Sequence, residues 1–461
     1  MKEKTIYICS SCGYNSPKWL GKCPSCGEWN SFSEHSKEVS KSVLKRASDI
    51  KVHKLKDVKN QDNERILTNI NEFNRITGGG LIKDSVTILT SPPGGGKSTL
   101  ALAVANDIAS QGYNVLYASG EESYTQVKNR ADRILDNISE KLWIISSNSL
   151  DDVLDSVKEI NPDLVIVDSV QTFTLNEFLP ARAGNPVQTM GCAGELVRLA
   201  KHEDKKHAVI IIGQMNKNDE LAGLRTLEHL VDTVLIIDSE NEEELRGITA
   251  TKNRFGSTGE IGFFAMTEHG LKSIDNPSEF FVTNRENSEK GVSGSAVTVI
   301  REGTRPIIAE IESLVSASFT PYPSRISDTM KREQLNTLVS VMEERCGINL
   351  FDKNVVIKST GGIKLKEPSV NLAVIMSIAS SYYNIAIPDN CIFIGDVGLT
   401  GELKKVPLME SRLKELKRRK YKKIFVAKQA LPSLKKDENY EIIGLNTLKE
   451  VIEYFFGMRK L

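Results

Sequence analysis

The sequence predicts an α/β protein built on a P-loop nucleotide-binding core, with a four-cysteine ribbon before it and a smaller α+β domain after it. Three observations carry this. From about residue 65 short apolar runs alternate with helical stretches, one run leads into Pro92-Pro93-Gly94-Gly95-Gly96-Lys97-Ser98-Thr99, and two Cys-x-x-Cys pairs stand in the first 26 residues.

The strand candidates of the core lie at 85–90, 114–118, 142–146, 164–167, 208–213 and 233–237. Several are continuous apolar runs, as expected of strands covered on both faces. Residues 99–110 and 150–160 read as helices, closed by Gly112 and Pro162. Such alternation implies a mostly parallel sheet. After about residue 285 the texture changes. Residues 296–300 and 307–311 read as a hairpin turning at Gly303, 333–345 and 369–382 as helices, and 391–395 and 424–427 as strands. The expected organisation is a zinc finger over 1–32, a Lys- and Ser-rich linker over 33–64, an ATPase domain over 65–285 and an α+β domain over 286–461.

Lys+Arg and Asp+Glu both number 60, so the chain is formally neutral. Wholesale charge-driven binding to nucleic acid is disfavoured, which leaves local patches. Residues 1–60 hold 12 basic and 6 acidic side chains, and the run 412–423, beginning at Arg412, holds eight basic residues and one Glu. No apolar run reaches the ~18 residues of a membrane helix. The N-terminus has no apolar segment of the signal-peptide kind, so a cytoplasmic protein without a membrane partner is expected. Seven cysteines in 461 residues do not make a disulfide framework. Cys192, Cys346 and Cys391 stand alone and read as small buried hydrophobes.

Cys9-Ser-Ser-Cys12-Gly and Cys23-Pro-Ser-Cys26-Gly are two knuckles, each able to put two thiolates on one ion. Together they offer the closed tetrahedral donor set of structural zinc. A redox pair or two disulfides are the alternatives, and the βαβ setting of a redox Cys-x-x-Cys is absent.

The run from Val86 to Thr99 is a strand, a Gly-rich loop and a helix start. It follows the pattern G-x-x-x-x-G-K-[ST] except at its first position, Ser91. Gly94, Gly95 and Gly96 let backbone N–H groups reach the phosphates of ATP, Lys97 reaches the β- and γ-phosphates, and Ser98 suits Mg²⁺. The helix N-terminus adds its dipole. Leu164-Val-Ile-Val-Asp168-Ser169 ends on a carboxylate that suits the magnesium through water. Tyr117-Ala-Ser-Gly-Glu121-Glu122 ends a strand on two carboxylates, of which Glu121 is the expected base and Glu122 its support. Gln214, after the apolar run 208–213, is placed to sense the γ-phosphate. Singly, carboxylates at strand ends also cap helices.

These motifs, in this order, resemble the RecA-like core of the bacterial RadA (Sms) family. Lys252-Asn253-Arg254-Phe255-Gly256 matches the KNRFG motif of that family, Gly256 ending a strand that includes 247–251. Thr77-Gly-Gly-Gly-Leu81, Phe264-Ala-Met-Thr-Glu268 and the ribbon with Trp19 and Trp29 match as well. The resemblance covers essentially the whole chain. It implies an ATP-driven motor of recombinational DNA repair, a homo-hexameric ring on single-stranded and branched DNA, working beside RecA in branch migration. It also implies that Lys252 and Arg254 reach the nucleotide of a neighbouring subunit, although a Lys-x-Arg pair is equally compatible with a solvated face. The last domain resembles the proteolytic domain of Lon, with Ser369 at the nucleophile position and Arg412 where that family has Lys. Arginine stays protonated and cannot serve as base. The expectation is a ring-forming scaffold without peptidase activity, its basic cluster facing DNA. Two other functions remain compatible with the residues: an ATP-dependent protease, and an ATP-switched DNA-binding scaffold without motor activity.

Overall fold

The computed structural model describes residues 4–11, 14–37, 54, 56, 64–202, 205–214, 224–238, 245–283, 291–416, 421–434 and 437–457. Cys12, most of the linker expected over 33–64, and the middle of the basic run (417–420) lie outside the described residues. The chain forms two compact units, Met1–Asp275 and Asn276–Leu461.

The first unit begins with a three-stranded antiparallel ribbon of order β2-β1-β3: β1 (Lys4–Cys9), β2 (Asn15–Ser16) and β3 (Phe32–Lys37). β3 pairs with β1 from Cys9↔Phe32 to Lys4↔Lys37, crossing the boundary expected at residue 32. A small ribbon of β4 (Arg65–Ile66) and β5 (Leu81–Ile82) encloses α1 (Asn71–Ile76). The core follows as β6 (Val86–Ser91), α2 (Lys97–Ser110), β7 (Val115–Ser119), α3 (Tyr124–Ile134), β8 (Leu142–Ser146), α4 (Leu150–Ile160), β9 (Leu164–Asp168), α5 (Pro186–Ala200), β10 (Ala208–Gln214), α6 (Leu224–Leu230) and β11 (Thr233–Ile237). Then come β12 (Leu245–Asn253), β13 (Ile261–Thr267) and β14 (Gly270–Ser273). They form one sheet of order β14-β13-β12-β11-β6-β10-β9-β7-β8. From β11 to β8 every pairing is parallel, and β12 to β14 extend the sheet antiparallel.

The apolar runs exist because this sheet is covered on both faces. Val86, Ile88, Val165 and Val167 point into one core with Val153 of α4 and Leu196 of α5. Leu89, Ile166, Ile210 and Ile212 point into the other with Leu100 and Val104 of α2. Helix α2 starts at Lys97, two residues before the expected start, because the glycine loop feeds directly into its first turn. Parallel strands in register bring Ser91, Ser119, Asp168 and Gln214 to one rim of the sheet. Ligands of open α/β sheets bind at such carboxyl-end rims.

The second unit carries a mixed sheet of order β17-β18-β16-β15-β19-β22-β23: β15 (Ser295–Glu302), β16 (Arg305–Ala317), β17 (Arg325–Ser327), β18 (Lys353–Ser359), β19 (Cys391–Ile394), β22 (Lys423–Ala427) and β23 (Glu441–Leu445). A ribbon of β20 (Asp396–Val397) and β21 (Leu403–Lys404) and the helices α7 (Arg332–Cys346), α8 (Asn371–Tyr383), α9 (Met409–Leu416) and α10 (Leu448–Phe456) complete it. The β15–β16 hairpin closes on Gly303-Thr304 with Glu302↔Arg305 as its last pair. Ser369 sits in a single 3-10 turn, and the helix expected from 369 starts at Asn371.

One expectation is overturned here. Arg412 does not belong to a basic surface: it is fully buried. Its Nη2 donates to Glu367 Oε2 at 2.6 Å, and its Nη1 donates to Glu367 Oε1 at 2.8 Å and to the Val299 carbonyl. The run-of-charge reading missed this because Arg412 falls on the inner face of α9, beside Met409 and Leu413. A guanidinium is buried only with partners of this kind. Lys414 and Lys422 of the same run are exposed.

Candidate functional site

The rim built by β6, β7, β9 and β10 gathers the residues singled out in the sequence. Ser91 ends β6 fully buried. Its hydroxyl donates to the Pro92 carbonyl at 2.7 Å and accepts from Lys97 Nζ at 3.0 Å. Lys97 also donates to the Ser91 carbonyl at 3.0 Å and to that of Pro92 at 3.3 Å, so the loop Pro92–Gly96 closes over its own lysine. A Cβ on residue 95 would lie 2.3 Å from Ser91 Oγ, so with Ser at the loop's first position Gly95 has no substitute. Gly96 is the N-cap, and Ser98 and Thr99 stand in the first turn of α2. Burial lowers the Lys97 ammonium below the usual lysine value, while Asp168 and Glu121 pull the other way.

Asp168 ends β9 and accepts from Tyr117 Oη at 2.6 Å. Tyr117 is 1% exposed, and burial, with the carboxylate beside it, pushes its phenol well above the usual value, so it remains a donor. Glu121 is held differently. Its Oε1 accepts from Ser169 Oγ at 2.7 Å and from Gln214 Nε2 at 3.0 Å. Glu122 instead pairs with Arg130 of α3. Neither carboxylate caps a helix. The α3 N-cap is Ser123, in a reciprocal capping box with Gln126. Two adjacent glutamates thus have separate environments: Glu121 faces the rim with Ser169 and Gln214, and Glu122 ties the loop to α3. Ser169, Tyr117 and Arg130 had no assigned part in the sequence reading. The first two lie inside the quoted motifs, and a tyrosine among Val115, Leu116 and Ala118 is a signal from which a buried hydroxyl contact could have been read.

Lys252 and Arg254 lie elsewhere. β12 runs antiparallel to β11, and the pairings Asn253↔Thr233 and Thr233↔Thr87 set the KNRFG segment level with the start of β6. Ser91 is four residues further along β6, about 13 Å at the strand rise. The two cations therefore sit at the amino-end rim, away from their own P-loop. The strand stops at Asn253, not at Gly256. Gly256 is needed for another reason: a Cβ there would lie 2.8 Å from the Gly78 Cα, so Thr77-Gly-Gly-Gly-Leu81 packs backbone to backbone against KNRFG. Arg65 bridges the two segments, donating to the carbonyls of Gly80 at 3.1 Å and Phe255 at 2.9 Å.

In the ribbon, the sulfurs of Cys9, Cys23 and Cys26 all lie within 4.8 Å of one another, and Cys9 Sγ is 3.7 Å from Cys26 Sγ. That is far beyond a disulfide bond. It matches the edge of a tetrahedron of thiolates around zinc, about 3.8 Å for Zn–S near 2.3 Å. Ser31 Oγ lies 3.1 Å from Cys9 Sγ, a contact of the kind that orients a metal-binding sulfur. The donor set fits zinc. Cys192 and Cys391 are buried and Cys346 half-buried, with burial pushing their thiols up to about 12, 11 and 11 respectively, as inert core residues.

Among the described residues no helix is long and apolar enough to cross a membrane. Residues 7–34 match a family model described as a rubredoxin metal binding domain, and residues 52–220 match an AAA domain. The crystal structure of the RadB recombinase is 21% identical and covers 46% of this chain and 100% of its own, with a TM-score of 0.36. DNA repair protein RadA of Bacillus subtilis is 38% identical over 463 residues, covering 99% of both chains. Those of Streptococcus pyogenes and Listeria monocytogenes are 39% and 37% identical, covering 99% and 98% of this chain. With near-complete coverage at this identity, and a P-loop rim and cysteine ribbon to match, the chain belongs to the RadA family of DNA repair proteins.

Proposed function

We propose that the protein is a DNA-dependent ATPase of recombinational DNA repair, a homo-hexameric ring that moves on single-stranded DNA and extends branched strand-exchange intermediates beside RecA. The observation that carries this reading is the separation of Lys252 and Arg254 from their own nucleotide rim. The P-loop amides and Lys97 would hold the β- and γ-phosphates, Ser98 and Asp168 the magnesium, and Glu121 would orient the attacking water, with Gln214 reporting the γ-phosphate through its bond to Glu121. Among the described residues the rim then lacks a cation for charge developing on the γ-phosphate. A head-to-tail repeat around a ring supplies one from each neighbour. DNA as the track follows from the relatives, which are named DNA repair proteins. Zinc, held by Cys9, Cys12, Cys23 and Cys26, would fold the ribbon, which has a small core of Cys9, Cys23 and Phe32. The second unit would serve as ring scaffold, on the Lon-like resemblance of its sequence.

The test is the ATPase rate with and without single-stranded DNA, for the natural protein and for Lys252→Ala. Stimulation by DNA that Lys252→Ala removes is expected. A rate indifferent to DNA sinks the reading, and turnover without any strand displacement favours an ATP-switched scaffold instead.

A further inference from the structure

Arg254 is held in its own chain by a carboxylate that the sequence motifs did not single out. Asp232 immediately precedes β11 and is 2% exposed. Its Oδ1 accepts from Arg254 Nη1 at 3.1 Å and from Lys201 Nζ at 3.3 Å, and its Oδ2 accepts from the Val86 N–H at 3.1 Å. The main chain repeats the pattern: Arg254 N–H donates to the Asp232 carbonyl at 3.1 Å, and Asp232 N–H donates to the Val86 carbonyl at 2.9 Å. Arg254 is thus fixed at both backbone and guanidinium, yet its side chain is 52% exposed. Lys252 is held in parallel, Nζ donating to the Glu228 carbonyl of α6 at 2.6 Å.

We propose that Asp232 is a positioning residue for Arg254: it holds the guanidinium at the amino-end rim in the pose that meets the γ-phosphate of the adjoining subunit. This rests on the reading of Arg254 as acting in trans. The choice of residue supports it. Fastening β11 to β6 needs only an acceptor for the Val86 N–H, which asparagine supplies without burying a charge. A buried carboxylate costs free energy unless it is paired, and the partners here are two cations of the rim. With Asp232 buried and Arg254 half exposed, the pairing offsets that cost without a large net gain in stability. As a brace it removes the side-chain freedom of a long arginine before the subunits meet, and misplacing a reacting group by about 1 Å costs up to about 10²-fold in rate.

The experiment uses the full chain with magnesium, ATP and single-stranded DNA, and mixes subunits. Asp232→Asn is expected to lower kcat by about tenfold to 10²-fold with little change in KM for ATP, in rings of unchanged size. Mixed with Lys97→Ala subunits, it should regain activity, because its intact P-loop then meets a braced Arg254. The double variant Lys97→Ala/Asp232→Asn should rescue Arg254→Ala about tenfold to 10²-fold less well than Lys97→Ala does. Asp232→Glu, which keeps the charge but moves it, should behave as Asp232→Asn and stands in for it if that variant does not fold. A structural role confined to β6 would damage the variant's own P-loop, so no rescue by Lys97→Ala overturns the proposal, as does an undiminished kcat. The mixture of Lys97→Ala with Arg254→Ala separates the two levels. If it also fails to recover, the trans reading itself falls; if it recovers and the Asp232→Asn mixture does not, only the positioning role falls.

Discussion

Arg412 and Glu367 meet through two parallel contacts of 2.8 and 2.6 Å, one partner wholly buried and the other about three-quarters buried. Burial alone would raise the Glu367 carboxyl, but the Arg412 guanidinium, helped by Ser369 and the Arg301 N–H, outweighs it and holds the group below the usual carboxylate value. Removing one partner of such a pair leaves a buried charge alone. Arg412→Ala should therefore destabilise the second unit by about 3–5 kcal/mol in urea unfolding. A folded pKa below the unfolded one means stability that is present above the unfolded carboxyl value, about 4.3, and is lost as pH falls through the lower folded value. The gap between Arg412→Ala and the natural protein should accordingly be full at pH 7 and shrink under acid. A gap independent of pH, or smaller than about 1 kcal/mol, contradicts the pair's role.

The same pair bears on Ser369, which is 2% exposed and beside Glu367. A nucleophile needs access and a base, and Arg412 gives neither, being protonated and committed to Glu367. Unfolded casein incubated with the protein and ATP should stay intact, and Ser369→Ala should keep the DNA-stimulated ATPase rate. Casein cleavage that Ser369→Ala abolishes would reverse this view of the second unit.

Elemental analysis of reductively purified protein should give one zinc per chain. The sulfurs of Cys9, Cys23 and Cys26 already lie within 4.8 Å of one another, close enough to share one ion. Cys9→Ser removes a buried ligand and should release the metal and unfold the ribbon, seen as loss of protection of the β1–β3 amides from hydrogen exchange. Zinc retained in Cys9→Ser, or none in the natural protein, counts against the site.

Much of this was legible in the sequence because the signals are local. Five of the six parallel strands announce themselves as apolar runs because strands between two helical layers have no polar face, while β8, at the sheet edge, is apolar yet leaves Trp143 and Ile144 exposed. The P-loop and the cysteine knuckles are fixed by spacing alone. What was not legible is pairing across the sheet. Nothing in the spacing of Glu121 and Ser169, or of Asp232 and Arg254, says that they meet, because β-sheet neighbours are set by topology and register. Arg412 shows the other limit: a basic run does not say which of its residues falls on the inner face of a helix, and its partner Glu367 is 45 residues away.

Lys97→Ala should abolish ATP turnover, because it removes the cation of the β- and γ-phosphates. Glu121→Gln should slow hydrolysis while nucleotide still binds, since Gln keeps the contacts to Ser169 and Gln214 but cannot take a proton. Glu122→Gln weakens only a tie to Arg130 and should retain most of the rate. Single-turnover hydrolysis and nucleotide binding measured on all three variants decide the matter. A normal rate in Glu121→Gln with a lost one in Glu122→Gln would exchange the two roles.

Arg254 should complete the active site of a neighbour. Its own P-loop is closed to it by construction: β12 ends level with Thr87, and the phosphate loop starts beyond Ser91 at the other rim. The alternative, an anchor for single-stranded DNA, predicts weaker DNA binding with a shallower salt dependence and no sharing between subunits. A cation reaching in from a partner is worth roughly 10³–10⁵ in rate, so Arg254→Ala rings should be nearly inactive, as should Lys97→Ala rings. Mixed rings distinguish the two readings. Where an Arg254→Ala subunit adjoins a Lys97→Ala subunit on the correct side, an intact P-loop meets an intact Arg254, and one competent site forms. ATPase activity should therefore rise above both parents and peak near equal mixing. Rings shown to contain both subunits, yet inactive at every ratio, would exclude the shared site and leave Arg254 to the DNA.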